Sequence, residues 1–179
     1  HRAPVARRRF GWPRDNVIGA TPQRNAEHDD WVAFWRDERL GAMRERIDAR
    51  RDAALVAAVD DVAAALPAFF ADGHAPRPSL IHGDLWNGNW GMLADGTPVV
   101  YDPAVSRSDA EAELAMMELF GAPPPGFWAA YRDAAGVHPG YARRRPAYQL
   151  YHLLNHVVLF DAGYRAQALA CARDALRAV

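Results

Sequence analysis

Three polar residues, Asp84, Asn89 and Asp102, hold spacings that suggest chemistry. The first two lie in Leu80-Ile81-His82-Gly83-Asp84-Leu85-Trp86-Asn87-Gly88-Asn89, where an apolar pair leads into His-x-Asp and an Asn follows five residues after the Asp. The third ends the next apolar run, Val99-Val100-Tyr101-Asp102-Pro103. His-x-Asp-x-x-x-x-Asn followed by Asp is the polar skeleton of a phosphoryl-transfer loop and its metal-binding carboxylate. This chemistry needs a positioned nucleophile and neutralised phosphate charge more than covalent help. Asp84 is therefore the candidate catalytic base for a substrate hydroxyl. Asn89 and Asp102 offer the hard oxygens that suit Mg²⁺.

Other residues near this skeleton invite roles. His82 stands two residues before the base and is expected to pack and orient the loop rather than ligate metal. Trp86, two residues after the base, is expected to face the acceptor, stacking on a sugar ring or an alkyl chain, although packing is the usual work of a Trp. His152 and His156 fall at i, i+4 on a predicted helix, a spacing that fits a metal. Residues 153 and 154 are both Leu, so the general base of a His-Glu-x-x-His site is missing. A satisfied helix pair or substrate contacts, with Asn155 between them, is the expectation. Asp109, Glu111 and Glu113 are expected to cap and solvate a helix N-terminus, where the dipole favours acids; a place near a cationic substrate is the other option.

The elements that must position these residues read as mainly helical. Residues 1–25 form an irregular lead-in rich in Pro, Arg, Asn and Gly. Asp29 or Asp30 caps a helix over Trp31 to Leu40, and a long helical pattern runs from Met43 to Phe70 until Pro76 and Pro78 break it. The apolar runs Ser79–His82 and Pro98–Tyr101 flank the catalytic loop and the Asp95-Gly96 turn as a β-hairpin. Helices then follow over Glu111–Phe120, Phe127–Ala135, Pro146–Phe160 and Tyr164–Ala178, with Pro146 expected in a first turn. One mainly α domain over 1–179 results, its chemistry on a β-hairpin insertion at 79–104.

Half of the 179 residues are hydrophobic and 24% are charged, enough for a sizeable core. A formal charge of −1 argues against a nucleic-acid surface. The runs Arg7-Arg8-Arg9 and Arg143-Arg144-Arg145 are expected to be solvated. No apolar stretch approaches the roughly 20 residues of a membrane span, and no signal-peptide pattern is present. The single Cys171 suits a reducing compartment, so a cytoplasmic location is expected. Oligomeric state is not legible. The chain contains no lysine: all 21 basic residues are Arg. Kinases ordinarily place a lysine and a Gly-rich loop on the nucleotide phosphates, so a kinase reading makes this the catalytic lobe without its nucleotide-clamping lobe.

Several segments together resemble the fructosamine kinase (ketosamine-3-kinase) family, within the wider aminoglycoside and choline kinase-like group. They are Phe10-Gly11-Trp12-Pro13-Arg14-Asp15-Asn16-Val17-Ile18-Gly19-Ala20-Thr21-Pro22-Gln23, then Asp30-Trp31-Val32 with Phe34, the His82–Asn89 loop, Pro98–Ala104, and Tyr148-Gln149-Leu150-Tyr151-His152-Leu153-Leu154-Asn155-His156. The first and last are narrower than the loop, which all kinase-like phosphotransferases share. The resemblance implies the C-terminal lobe of a protein kinase-like fold, ATP as donor and Mg²⁺ on Asn89 and Asp102. It implies a sugar hydroxyl of a small ketosamine or of a glycated protein lysine as acceptor. Trp86, His152, Asn155, His156, Asp15 and Asn16 would then shape the acceptor pocket. The chain departs from the family at Val105-Ser106-Arg107-Ser108-Asp109, where an aromatic and a Gly are usual, and at Glu113, where Asp is usual. Three rival readings follow from the residues: a phosphotransferase for another amine-bearing alcohol, an inactive fragment that keeps the loop, and a metallohydrolase using His82, Asp84 and His152 or His156. The last lacks the dense ligand motif such sites require.

Overall fold

In the computed structural model, which describes residue 1 and residues 9–179, the helices gather around one long central helix. Arg7 and Arg8 of the first basic run lie outside the described residues. Asp30 accepts a hydrogen bond from Ala33 N at 2.7 Å and starts α1 (Trp31–Phe34), which continues through a π-helical stretch, Trp35–Gly41, into α2 (Ala42–Arg44). The predicted helix over Met43–Phe70 is broken at residues 45–52, where Asp48 bonds the Arg50, Arg51 and Asp52 amides in a local turn. Helical spacing resumes in α3 (Ala53–Ala65), whose Leu55, Val56, Val59 and Val62 face the core, and a 3₁₀ turn, Leu66–Phe70, follows at Pro67.

The stretch Ala53–Phe70 is apolar enough over 18 residues to pass a test of length and composition for a membrane span, contrary to the sequence expectation. Its apolar face is part of the protein core, and Asp60 on its exposed side pairs with Arg44 at 3.0 Å. α4 (Ala110–Met117) and α5 (Phe127–Ala134) precede the central helix α6 (Tyr141–Phe160), and α7 (Arg165–Arg177) packs back on α6 and α3. Ala168, Ala172 and Ala175 are fully buried in that contact, where small side chains let the helices approach closely.

Pro146 lies inside α6, not in a first turn. Its ring removes one backbone donor from the helix, and the preceding turn is held to α4 and its end by side chains: Tyr141 donates to Glu118 at 2.9 Å, and Arg144 donates to Glu111 at 2.7 Å. Arg144 is fully buried, so the middle of the second Arg run is not solvated. Its guanidinium reaches Glu111, Asp72 and the Phe69 carbonyl.

The β structure exceeds the single insertion expected. β1 (Asn16–Ile18) and β2 (Thr21–Gln23) form a hairpin inside the lead-in segment read as irregular. β3 (Ser79–Ile81) pairs antiparallel with β6 (Ser106–Ser108), in register Ile81 to Ser106. The Asp95-Gly96 turn joins β4 (Trp90–Met92) to β5 (Pro98–Val100). Pro98–Val100 thus pairs with Trp90–Met92, while β3 closes with a polar Ser-Arg-Ser segment that carries no strand signal. Gly11 exchanges backbone bonds with Arg107 on the outer edge of β6, both at 2.9 Å.

The candidate active site

The β3–β6 pair gathers the site. Its ladder closes the segment between Ile81 and Ser106 into a loop with tied ends. Asp84, three residues after β3, and Asp102, four before β6, therefore emerge at the same mouth. Asn89 ends the turn between them and donates through Nδ2 to the Asp84 carbonyl at 2.9 Å and to Asp84 Oδ2 at 3.2 Å. With Nδ2 spent there, Asn89 keeps Oδ1 for a cation. Asp102 is exposed and holds a left-handed backbone, φ 54°, the one positive-φ non-glycine among the described residues. Asp tolerates that conformation better than most residues, and such outliers gather at functional sites. Two oxygen donors of this kind, one neutral and one anionic, fit Mg²⁺, which needs few protein ligands.

His82 has both ring nitrogens committed. Nε2 donates to the Tyr101 carbonyl at 2.8 Å, and Nδ1 accepts from Asp84 N at 3.3 Å. The ring thus ties Asp84 to the residue before Asp102. Neither nitrogen is left for a metal, which removes the metallohydrolase arrangement. Gly83 has φ 84°, and a side chain there would run into the Ala104 carbonyl. Only glycine lets the loop pass so close to the backbone that leads into β6.

Glu113 is the residue that sequence reasoning misplaced. It is 2% exposed, and its carboxylate accepts from His82 N at 2.5 Å and from Gly83 N at 3.2 Å. Glu111 is buried as well, against Arg144. Of the three acids expected to be solvated, Asp109 does cap α4, accepting from Glu111 N at 3.2 Å, yet is itself buried under Tyr148 and His74. The missed signal is spacing: Glu113 follows cap Asp109 by four residues, on the same helix face, and that face lies under the catalytic loop. His74, Asp109 and Glu111 place ligand atoms within 4.8 Å of one another. Arg144 and Tyr148 already occupy those carboxylates, so the cluster is an internal network.

Burial is the main cause that pushes the Asp84 carboxyl up to about 7; the Glu113 charge and, more weakly, Asp102 add to it, while the Asn89 bond opposes. His152 Nδ1 stands 4.0 Å from Asp84 Oδ1. Burial, with His156 and Arg39 adding, pushes the imidazole down to about 3, so the contact is that of a neutral ring and not an ion pair. His152 Nδ1 and Asn155 Oδ1 are buried and make no hydrogen bond within the described residues. Such orphaned groups are uncommon and fit a site that binds something polar. Trp86 is 38% exposed beside the base. Asp15 and Asn16 are engaged within the chain. Asp15 Oδ1 accepts from Asn25 N at 2.8 Å, and Asn16 bonds Gln23, Asn25 and the Val105 carbonyl. Asn16 and Gln23, which donates to the Ala104 carbonyl at 3.1 Å, brace the backbone after Asp102.

The family model described as fructosamine kinase matches residues 1–178. The chain belongs to the fructosamine kinase family. Among relatives of this fructosamine kinase chain, a Synechocystis protein described as a ketoamine kinase is 43% identical over 168 residues, 94% of this chain and 56% of the relative. A chloroplastic protein-ribulosamine 3-kinase of Oryza sativa subsp. indica is 38% identical over 178 residues, 99% of this chain and 52% of the relative. A crystal structure of a Thermobifida fusca protein described as a fructosamine-3-kinase superposes with a TM-score of 0.84 at 38% identity, covering 94% of this chain and 59% of that one. The chain spans about half the length of the curated relatives it matches. Helices with small sheets, as seen here, are thus the family's architecture over this stretch.

Proposed function

We propose that this chain carries the catalytic lobe of an ATP-dependent kinase that phosphorylates a sugar hydroxyl of ketosamines, free or on glycated protein lysines. The observation that carries this reading is the meeting of Asp84, Asn89 and Asp102 at the mouth of the β3–β6 pair. Asp84 orients the attacking hydroxyl and takes its proton at a carboxylate oxygen. A loose transition state asks for little basicity early, and a carboxyl near neutral affinity is well matched to a late transfer. Asn89 and Asp102 would hold Mg²⁺, which when bound neutralises nucleotide phosphate charge. Glu113 and His82 keep the loop backbone in register, and neutral His152 adds no competing charge beside the base. The lysine and Gly-rich cover for the nucleotide are supplied from outside these 179 residues, in keeping with the greater length of the relatives.

Phosphorus NMR of Mg²⁺-ATP with a synthetic fructosamine, using the full gene product, tests the reading. A new sugar-phosphate resonance that disappears in Asp84→Asn is the expected result. Bound ATP without transfer to the ketosamine would overturn the acceptor assignment, and undiminished transfer by the variant would remove Asp84 from the mechanism.

A further inference from the structure

A small cavity lies behind the catalytic loop, lined by Gly83, by Ser106 and Ser108 of β6, by Arg39 of the π-helical stretch and by Tyr151 and His152 of α6. Asp84 does not line it, so it is separate from the mouth at which Asp84, Asn89 and Asp102 meet. It offers about 10 Å³ to the centre of a water molecule, room for one and not for two. Every side chain just named ends in a polar group, although the surroundings are core: Ser106 and Ser108 are 1% exposed and His152 is 4% exposed. Register puts both serines on the face of β6 that Ile81 and Ser79 share across the ladder, a buried row where apolar residues ordinarily pack. They also fall in Val105–Asp109, the segment at which the chain departs from the family.

The hydrogen bonds of these groups are incomplete. The two serine hydroxyls stand 2.9 Å apart; one donates to the other, and the second O–H finds no acceptor in that pair. Tyr151 donates to Gln23 Oε1 at 2.7 Å, which leaves its oxygen able to accept. Arg39 commits three of its five N–H groups to the Arg24 and Glu38 carbonyls and Asn25 Oδ1. His152 Nδ1 is buried and makes no hydrogen bond within the described residues. A buried polar group left in that state is costly.

We propose that this cavity is a binding site for one resident water molecule, held by His152 Nδ1, a serine hydroxyl of β6 and the Tyr151 oxygen. A buried water needs two to four polar partners, and its two donors and two acceptors complete all three groups at once, whichever nitrogen of His152 carries the proton. The serines bond each other and not His152, so the water is what carries the β3–β6 pair across to α6 behind the loop. An anion would find a cation in Arg39, but it would also face the lone pairs of the Tyr151 oxygen, which repel it. The site uses only groups behind the loop and does not rest on the kinase reading.

Diffraction from crystals of the full gene product locates this water, and oxygen-17 magnetic relaxation dispersion counts the long-lived internal waters of the same protein. A density peak about 2.6–3.2 Å from His152 Nδ1, a serine hydroxyl and Tyr151 Oη is expected. Ser106→Val adds a branch that takes the space, and it should hold one internal water fewer than the parent. It should also unfold at a lower urea midpoint, because the filled cavity leaves His152 and Ser108 unpaired. His152→Phe keeps a ring and removes Nδ1, and it should lose the same water; should neither variant fold, the parent crystals decide. A dry void would give no peak, an unchanged water count and a raised midpoint in Ser106→Val, and that result overturns the proposal. An anomalous peak in the cavity from crystals grown in bromide would show an anion in place of water and would overturn it as well.

Discussion

At the residue scale, Asp84 concentrates the conflict between function and stability. Its carboxyl binds a proton more tightly in the folded chain than an ordinary Asp does, with burial the first cause. The sign follows from linkage: a raised folded-state affinity contributes stability that is fully present below the ordinary pKa of 3.8 and lost as pH rises through about 7. Asp84→Asn removes the ionisation and keeps the shape. Turnover is expected to fall by about three orders of magnitude or more. The same variant should be more stable than the parent at pH 8, by a few kcal/mol at most, with the difference vanishing near pH 4. Urea unfolding at the two pH values reads it directly, and a variant less stable at pH 8 would contradict the burial argument. The three residue types and their spacing were legible in the sequence, because the phosphoryl transfer proposed above restricts which groups serve. The affinity of Asp84 was not, since the neighbour that raises it, Glu113, is 29 residues away in sequence.

At the element scale, the catalytic loop is a strand-to-strand connection held from three sides. Glu113 on α4 takes the His82 and Gly83 amides, His82 takes the Tyr101 carbonyl, and Gly83 lies against Ala104. Gly83→Ala puts a Cβ into a carbonyl at a left-handed position, so a loss of about 2 kcal/mol or more is expected, with activity lost alongside. Chemical denaturation measures it. Glu113→Gln keeps the size but turns one acceptor oxygen into a donor facing backbone N–H groups. Faster hydrogen exchange at the His82 and Gly83 amides is expected, with kcat reduced some 10- to 100-fold and KM for nucleotide little moved. Unchanged exchange at both amides would show that Glu113 does not anchor the loop. Helix positions were readable from periodicity and from caps such as Asp30. The partner of β3 was not readable: Ser106-Arg107-Ser108 has neither alternation nor β-branched residues. Its pairing is imposed from both sides, by β3 and by Gly11.

At the scale of the whole molecule, α6 is the organising part, touching α4, α7 and the β1–β2 hairpin while carrying His152 to the base. Arg144 locks its first turns to Glu111, Asp72 and the end of the Leu66–Phe70 turn. Arg144→Ala leaves Glu111 buried without its cation, and a loss of about 3–5 kcal/mol is expected from thermal or urea unfolding. A change under 1 kcal/mol would mean that the network is incidental. By itself the sequence determined the helical character of the chain and the family, and it singled out Asp84, Asn89 and Asp102 for the chemistry proposed above, since these are written in local spacing and in residue types with few substitutes. Tertiary structure alone decided which polar groups hold the fold together. Asp15 went to the Asn25 amide and Asn16 to the Val105 carbonyl, Arg144 went inside, and Glu113 went under the loop. The physical reason is that a buried polar group must find a partner wherever the packed chain supplies one, and that partner lies tens of residues away, beyond any periodicity the sequence displays.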